Sequence, residues 1–131
     1  PHRDNAMYFL SPIKRFDRGP ERYLEDVAAC APVGAAVVAD FNPGALLRLA
    51  QVARGWRPDL EVLPVAVDVA IAQADPAAAL ERRIRELGSG GRFVVVADRW
   101  EPYYRIRALS SRLLVEPCAA GARIRPAAEA E

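Results

Sequence analysis

Three short, unbroken apolar runs constrain this chain more than anything else in it. They are Ala35-Ala36-Val37-Val38-Ala39, Val62-Leu63-Pro64-Val65-Ala66-Val67 within an expected strand over 60–67, and Phe93-Val94-Val95-Val96-Ala97. A strand with one wet face alternates apolar and polar residues, whereas a strand buried on both faces does not. Each run therefore predicts a strand covered on both sides. Between the runs the apolar spacing becomes helical: Leu46, Leu47, Leu49, Ala50 and Ala53 after the first, and Leu80, Ile84 and Leu87 after the second. Strands alternating with helices build βαβ units and a parallel sheet. The expected fold is α/β: an open, mostly parallel, three-layer sheet of four to five strands, Rossmann-like in architecture. All three runs fall far short of the ~20 residues that a membrane-spanning helix needs.

Punctuation residues set the boundaries. Residues 1–16 form an extended lead-in that carries the apolar stretch Met7-Tyr8-Phe9-Leu10, residues 17–125 a single α/β domain, and residues 126–131 a frayed tail of alanine and glutamate. Pro20 opens a first helix with Tyr23, Leu24, Val27 and Ala28 on its apolar face, and Pro32-Val33-Gly34 stops it. In Asp40-Phe41-Asn42-Pro43-Gly44, Asn42 suits the N-cap and Pro43 the first helical position. Pro64 is awkward in a central strand because it removes a ladder donor. Asp75-Pro76 repeats the cap-plus-proline signal, and Gly88-Ser89-Gly90-Gly91 stops the helix that follows. A short helix is expected over 100–109, a fourth strand at Leu113-Leu114-Val115 and a fifth over 122–125.

Composition excludes several function classes. At 52% hydrophobic and 27% charged the chain is not disordered. Its net charge of +1 argues against a nucleic-acid partner. Lys14 is the sole lysine, and this arginine and alanine bias is first the codon signature of a GC-rich bacterial genome. His2 is the sole histidine, which removes histidine-based triads and the usual zinc sites. Cys30 and Cys118 have two readings, a disulfide in an oxidising compartment or two buried small apolar side chains, the second being the simpler.

Three aspartates, Asp40, Asp68 and Asp98, each follow an apolar run. In an open parallel sheet ligands bind outside the carboxyl ends of the strands, where such carboxylates hold Mg²⁺ or sugar hydroxyls. The plainer reading is that they cap turns. Asn42 and Arg99 complete the candidate ligand-binding crevice. Trp100, Tyr103 and Tyr104 form a candidate interaction surface. No glycine-rich loop follows a strand and opens a helix, so a nucleotide site is disfavoured and no cofactor is expected. Ser110-Ser111 has no base to activate it.

The stretch 35–42, followed by Leu47, Leu49, Gln51, Gly55 and Arg57-Pro58-Asp59-Leu60-Glu61-Val62, resembles the soluble C-terminal region of an uncharacterised bacterial family of multi-pass membrane proteins. That family is related to protein O-mannosyltransferases and other lipid-sugar-dependent glycosyltransferases. Gln51, Gly55, Arg57, Pro58 and Asp59 match its pattern without a gap, with Leu60 replacing a valine, while Asp40 stands one position early. The family's catalytic acids sit in loops between membrane helices, so no catalytic residue carries over to this chain. The resemblance implies a domain of a cell-membrane protein, placed outside the cytoplasm, next to the membrane-embedded part of its parent and a glycan or protein acceptor. The absent initiator methionine suits a domain cut from such a parent.

The expected function is thus a non-catalytic accessory domain, for binding or for structure, of a membrane-bound glycosyltransferase-like protein. The alternative is a small metal- or nucleotide-dependent α/β enzyme domain that uses the strand-end aspartates.

Overall fold

A computed structural model describes residues 18–64, 76–97, 109 and 112–127. Its elements are α1 (Gly19–Cys30), β1 (Ala36–Ala39), α2 (Phe41–Arg54), β2 (Glu61–Pro64), α3 (Pro76–Leu87), a 3-10 turn (Ser89–Gly91), β3 (Val94–Val96), β4 (Leu113–Cys118) and β5 (Gly121–Pro126). The five strands make one sheet in the order β2-β1-β3-β5-β4. β1 pairs in parallel with β2 and with β3. β5 runs antiparallel to β3, and β4 antiparallel to β5. The fold is α/β with a mixed sheet: a parallel core of three strands, extended by an antiparallel hairpin.

The unbroken apolar strands have the predicted cause. Val37, Ala39, Val95 and Ala97 point into one cluster with Leu24 and Val27 of α1 and Leu47 and Ala50 of α2. Their neighbours Ala36, Val38, Val94 and Val96 point into a second cluster with Leu80 and Ile84 of α3. Successive strand side chains leave on opposite sides, so a four-residue strand such as β1 needs apolar groups at every position. β5 instead alternates buried Ala122 and Ile124 with more accessible Arg123 and Arg125.

Several local expectations change. α2 starts at Phe41, so neither Asn42 caps it nor Pro43 opens it. Gly44 N–H donates to the Asp40 carbonyl over 2.7 Å, which makes Asp40 the flanking residue and Pro43 the third helical one. Proline is accepted there because the first four N–H groups of a helix have no intrahelical partner. The apolar face of α2 is also narrower than the spacing suggests. Leu47 and Ala50 are buried, but Leu49 is 63% exposed, because two residues on from Leu47 is about 200° round the helix, on its opposite side. Pro64 closes β2, which lies at the sheet edge, so its missing donor costs no ladder bond to a neighbour on that side. β4 and β5 both run beyond the predicted spans, and Pro126, placed in the tail by sequence, belongs to β5. The Ala127 N–H continues the pairing to the Arg112 carbonyl at 2.8 Å.

Cys30, the last residue of α1, is joined to Cys118, the last residue of β4, as a disulfide with Cα atoms 5.6 Å apart. This corrects the simpler reading of two separate apolar side chains. The bridge ties the first helix to the far hairpin across 88 positions of chain. The short helix expected over 100–109 lies outside the described residues except for Leu109, and Met7-Tyr8-Phe9-Leu10 lies wholly outside them.

Candidate functional site

The parallel strands give the sheet two unlike ends. At the carboxyl end, β1 and β3 finish side by side, with the Ala97 N–H donating to the Val38 carbonyl at 2.9 Å. The buried Tyr23 hydroxyl reaches from α1 and donates to the Ala97 carbonyl at 2.9 Å. Strand order reverses at β1, since β2 lies on one side of it and β3 on the other. That is the position where open α/β sheets take up ligands. Asp40 is half-buried at this point, between β1 and α2, and Asn42 is exposed one step into the helix. Both residues stand at the positive end of the α2 dipole. The other predicted site residues, Asp68, Asp98, Arg99, Trp100, Tyr103 and Tyr104, lie outside the described residues. Among the described residues no three His, Cys, Asp or Glu side chains gather as a metal-binding group.

At the amino end the three parallel strands are stitched together by side chains that the strand-end argument passed over. Arg57 is at the centre. Its Nε and one Nη donate to the two carboxylate oxygens of Asp59, each at 2.8 Å. The same guanidinium reaches the end of α1 and donates to the carbonyls of Ala28 at 3.2 Å, Ala31 at 3.1 Å and Pro32 at 3.2 Å. The Ala28 and Ala31 carbonyls lie at the end of α1, at the negative pole of the helix dipole, where a cation is favoured, and the Pro32 carbonyl just beyond it also accepts the Ala35 N–H at 3.2 Å.

Asp59 also accepts the Gly34 N–H at 3.1 Å, just before β1. Gly34 has φ +73°, a conformation that favours glycine. Its carbonyl accepts from Arg92 Nε at 2.7 Å, and Arg92 pairs with Glu61 at 2.5 Å. Arg92 precedes β3 and Glu61 opens β2, so one continuous polar chain joins all three parallel strands at their starts. Gln51 completes it from α2: its Nε2 donates to the Arg57 carbonyl at 3.0 Å and the Leu60 carbonyl at 2.9 Å. Both amide hydrogens are thereby used to fix the loop before β2.

The electrostatics follow this geometry. The Arg57 guanidinium, and then the Gly34 N–H, hold the Asp59 carboxyl well below the usual carboxylate range. Asp59 in turn raises the pKa of Arg57. Arg57 has φ +38°, an unusual backbone state for a side chain other than glycine. The surrounding bonds hold it there: the Leu60 N–H and the Gln51 amide both use its carbonyl. One sequence signal did point here, namely the Arg-Pro-Asp triplet after Gly55. Its role as a clasp depends on α1 and β1 lying beside it, which no local pattern shows.

No protein-family model, curated protein or solved structure matches the chain. Among the described residues no helix is long and apolar enough to cross a membrane.

Proposed function

We propose that this chain is a non-catalytic accessory domain, Rossmann-like and three-layered, of a membrane-bound glycosyltransferase-like protein. The observation that carries this reading is the amino-end clasp. The residues behind the family resemblance, Gln51, Arg57 and Asp59, direct their hydrogen bonds into the protein's own frame. A motif used in this way supports bracing and presentation of a surface rather than catalysis. The opposed clusters on the two faces of the sheet support the three-layer description. The Cys30–Cys118 bridge supports an oxidising, extracytoplasmic setting, since structural disulfides persist there and are rare in the cytosol. In this reading the partners are the membrane-embedded part of the parent and a glycan or protein acceptor, with Asp40 and Asn42 the described part of any ligand crevice.

The decisive experiment uses the full-length parent. Asp40→Ala should leave sugar transfer per folded molecule unchanged, while Arg57→Ala should lower the folded fraction without altering transfer by what remains folded. Loss of transfer per folded molecule in Asp40→Ala would replace this reading with a strand-end site. A parent gene that encodes no membrane helices would overturn the attachment to a membrane protein.

A further inference from the structure

One face of the β4–β5 hairpin carries three arginines. Leu114 is opposite Arg125 across the two strands, and Glu116 is opposite Arg123. The Ala127 N–H to Arg112 carbonyl bond carries the ladder one step further, and strand alternation puts Arg112 on the same face as Leu114. Both Arg123 and Arg125 hold their guanidinium carbons 5.7 Å from the centre of the Phe93 ring, which orders them by cation–π contact. Arg123 also pairs with Glu116 at 2.9 Å. Arg112 and Arg125 are exposed, and neither has a carboxylate partner among the described residues. Leu114 stands between them, 42% exposed. The opposite face of β5 is the one that turns Ala122 and Ile124 into the core.

The result is a face with two arginines that have no carboxylate partner among the described residues, a third held by Phe93 and Glu116, and an exposed leucine, in a chain whose net charge is only +1. Charge complementarity calls for an anionic partner, and arginines spread along two paired strands with an exposed aliphatic group between them fit an extended surface rather than a single small ligand. We infer that this hairpin face docks on the phosphate-bearing headgroups of an anionic lipid bilayer, steadying the domain against the membrane. The inference rests on the membrane-attached reading above, and names the surface that would meet the membrane.

Vesicle co-sedimentation of the full oxidised chain tests it. The chain should bind vesicles of phosphatidylglycerol and phosphatidylcholine in equal parts, and not vesicles of phosphatidylcholine alone. Binding should weaken as ionic strength rises above about 0.1 M, where the screening length is about 10 Å. Arg112→Gln with Arg125→Gln should weaken binding about thirtyfold, the combined effect of two arginines near an anionic surface. Arg48→Gln with Arg82→Gln removes the same charge from exposed helix positions and should change binding less than twofold. Circular dichroism should be the same for both pairs. Absent vesicle binding, equal losses from the two pairs, or binding to polyglutamate but not to vesicles would each overturn the proposal, the last in favour of an acidic protein. Membrane helices in the parent gene without vesicle binding would remove this surface and leave the accessory-domain reading standing. Vesicle binding without such helices would do the reverse.

Discussion

The two ends of the parallel sheet are built on opposite principles. At the amino end, the loops before β1, β2 and β3 are joined by Arg57, Asp59, Gly34, Arg92 and Glu61, with Gln51 bracing from behind. At the carboxyl end, β1 stops at Ala39 and β3 at Val96, the Tyr23 hydroxyl satisfies the Ala97 carbonyl, and Asp40 and Asn42 stand at the start of α2. The contrast teaches where a short α/β domain puts its polar side chains. Side chains that satisfy backbone carbonyls and one another at one end fix the strands in place, leaving the other end free of that duty. In open sheets the freed end is the one that meets ligands.

That contrast can be broken in graded steps. The largest effect lies outside both ends. Cys30→Ala with Cys118→Ala should lower stability by about 4 kcal/mol, the scale expected for a bridge closing a loop approaching 100 residues. Thermal unfolding of the oxidised chain with and without reductant measures it, and an unchanged melting temperature would remove the bridge from the frame. Next, Ile84→Ala should cost about 3 kcal/mol, because Ile84 is fully buried on the α3 side of the sheet. Urea denaturation should show it as a lower midpoint at unchanged slope.

Arg57→Ala tests the clasp directly. It removes a charged donor from three backbone carbonyls and from Asp59, and should cost about 2 kcal/mol. Arg57→Lys should recover part of this, since an ammonium cannot reproduce the two-pronged fork. At the carboxyl end, Asp40→Ala removes a residue from the flanking position of α2 and should cost only about 1 kcal/mol. If Asp40→Ala costs as much as Arg57→Ala, the two ends are not different in kind.

A pH series sharpens the same comparison. The Asp59 pKa is depressed in the folded protein, so its stabilising contribution is complete above the unfolded value of about 3.9. It is lost as pH falls below that value, towards the folded pKa. The melting temperature should therefore show no Asp59-dependent change between about pH 5 and pH 8. Below about pH 4 the wild-type advantage over Asp59→Asn should narrow. An advantage that persists undiminished at lower pH would mean that the carboxylate charge is not what holds the clasp.

The element order was largely legible in the sequence because it depends on local rules. Val94-Val95-Val96 can hardly avoid being a doubly covered strand, and Gly88 to Gly91 can hardly continue a helix. Gly90 and Gly91 indeed adopt φ of +79° and +80°. Of the candidate crevice only Asp40 and Asn42 fall among the described residues, at the end of β1 and the start of α2 as strand-end logic expects, while Asp68, Asp98, Arg99, Trp100, Tyr103 and Tyr104 lie outside them. The start of α2 was misread because Asn42-Pro43 is a good local cap signal, yet β1 ends at Ala39 and the chain turns at once into the helix.

By itself the sequence determined which segments are strands and helices, which residues are apolar on both faces, and where the chain turns. These follow from side-chain periodicity and from the backbone limits of glycine and proline. Tertiary structure alone decided the rest: that β5 enters the sheet antiparallel beside β3, that Cys30 meets Cys118, and that Arg57 closes the end of α1. Each joins groups distant along the chain, and such meetings are set by how the whole core packs.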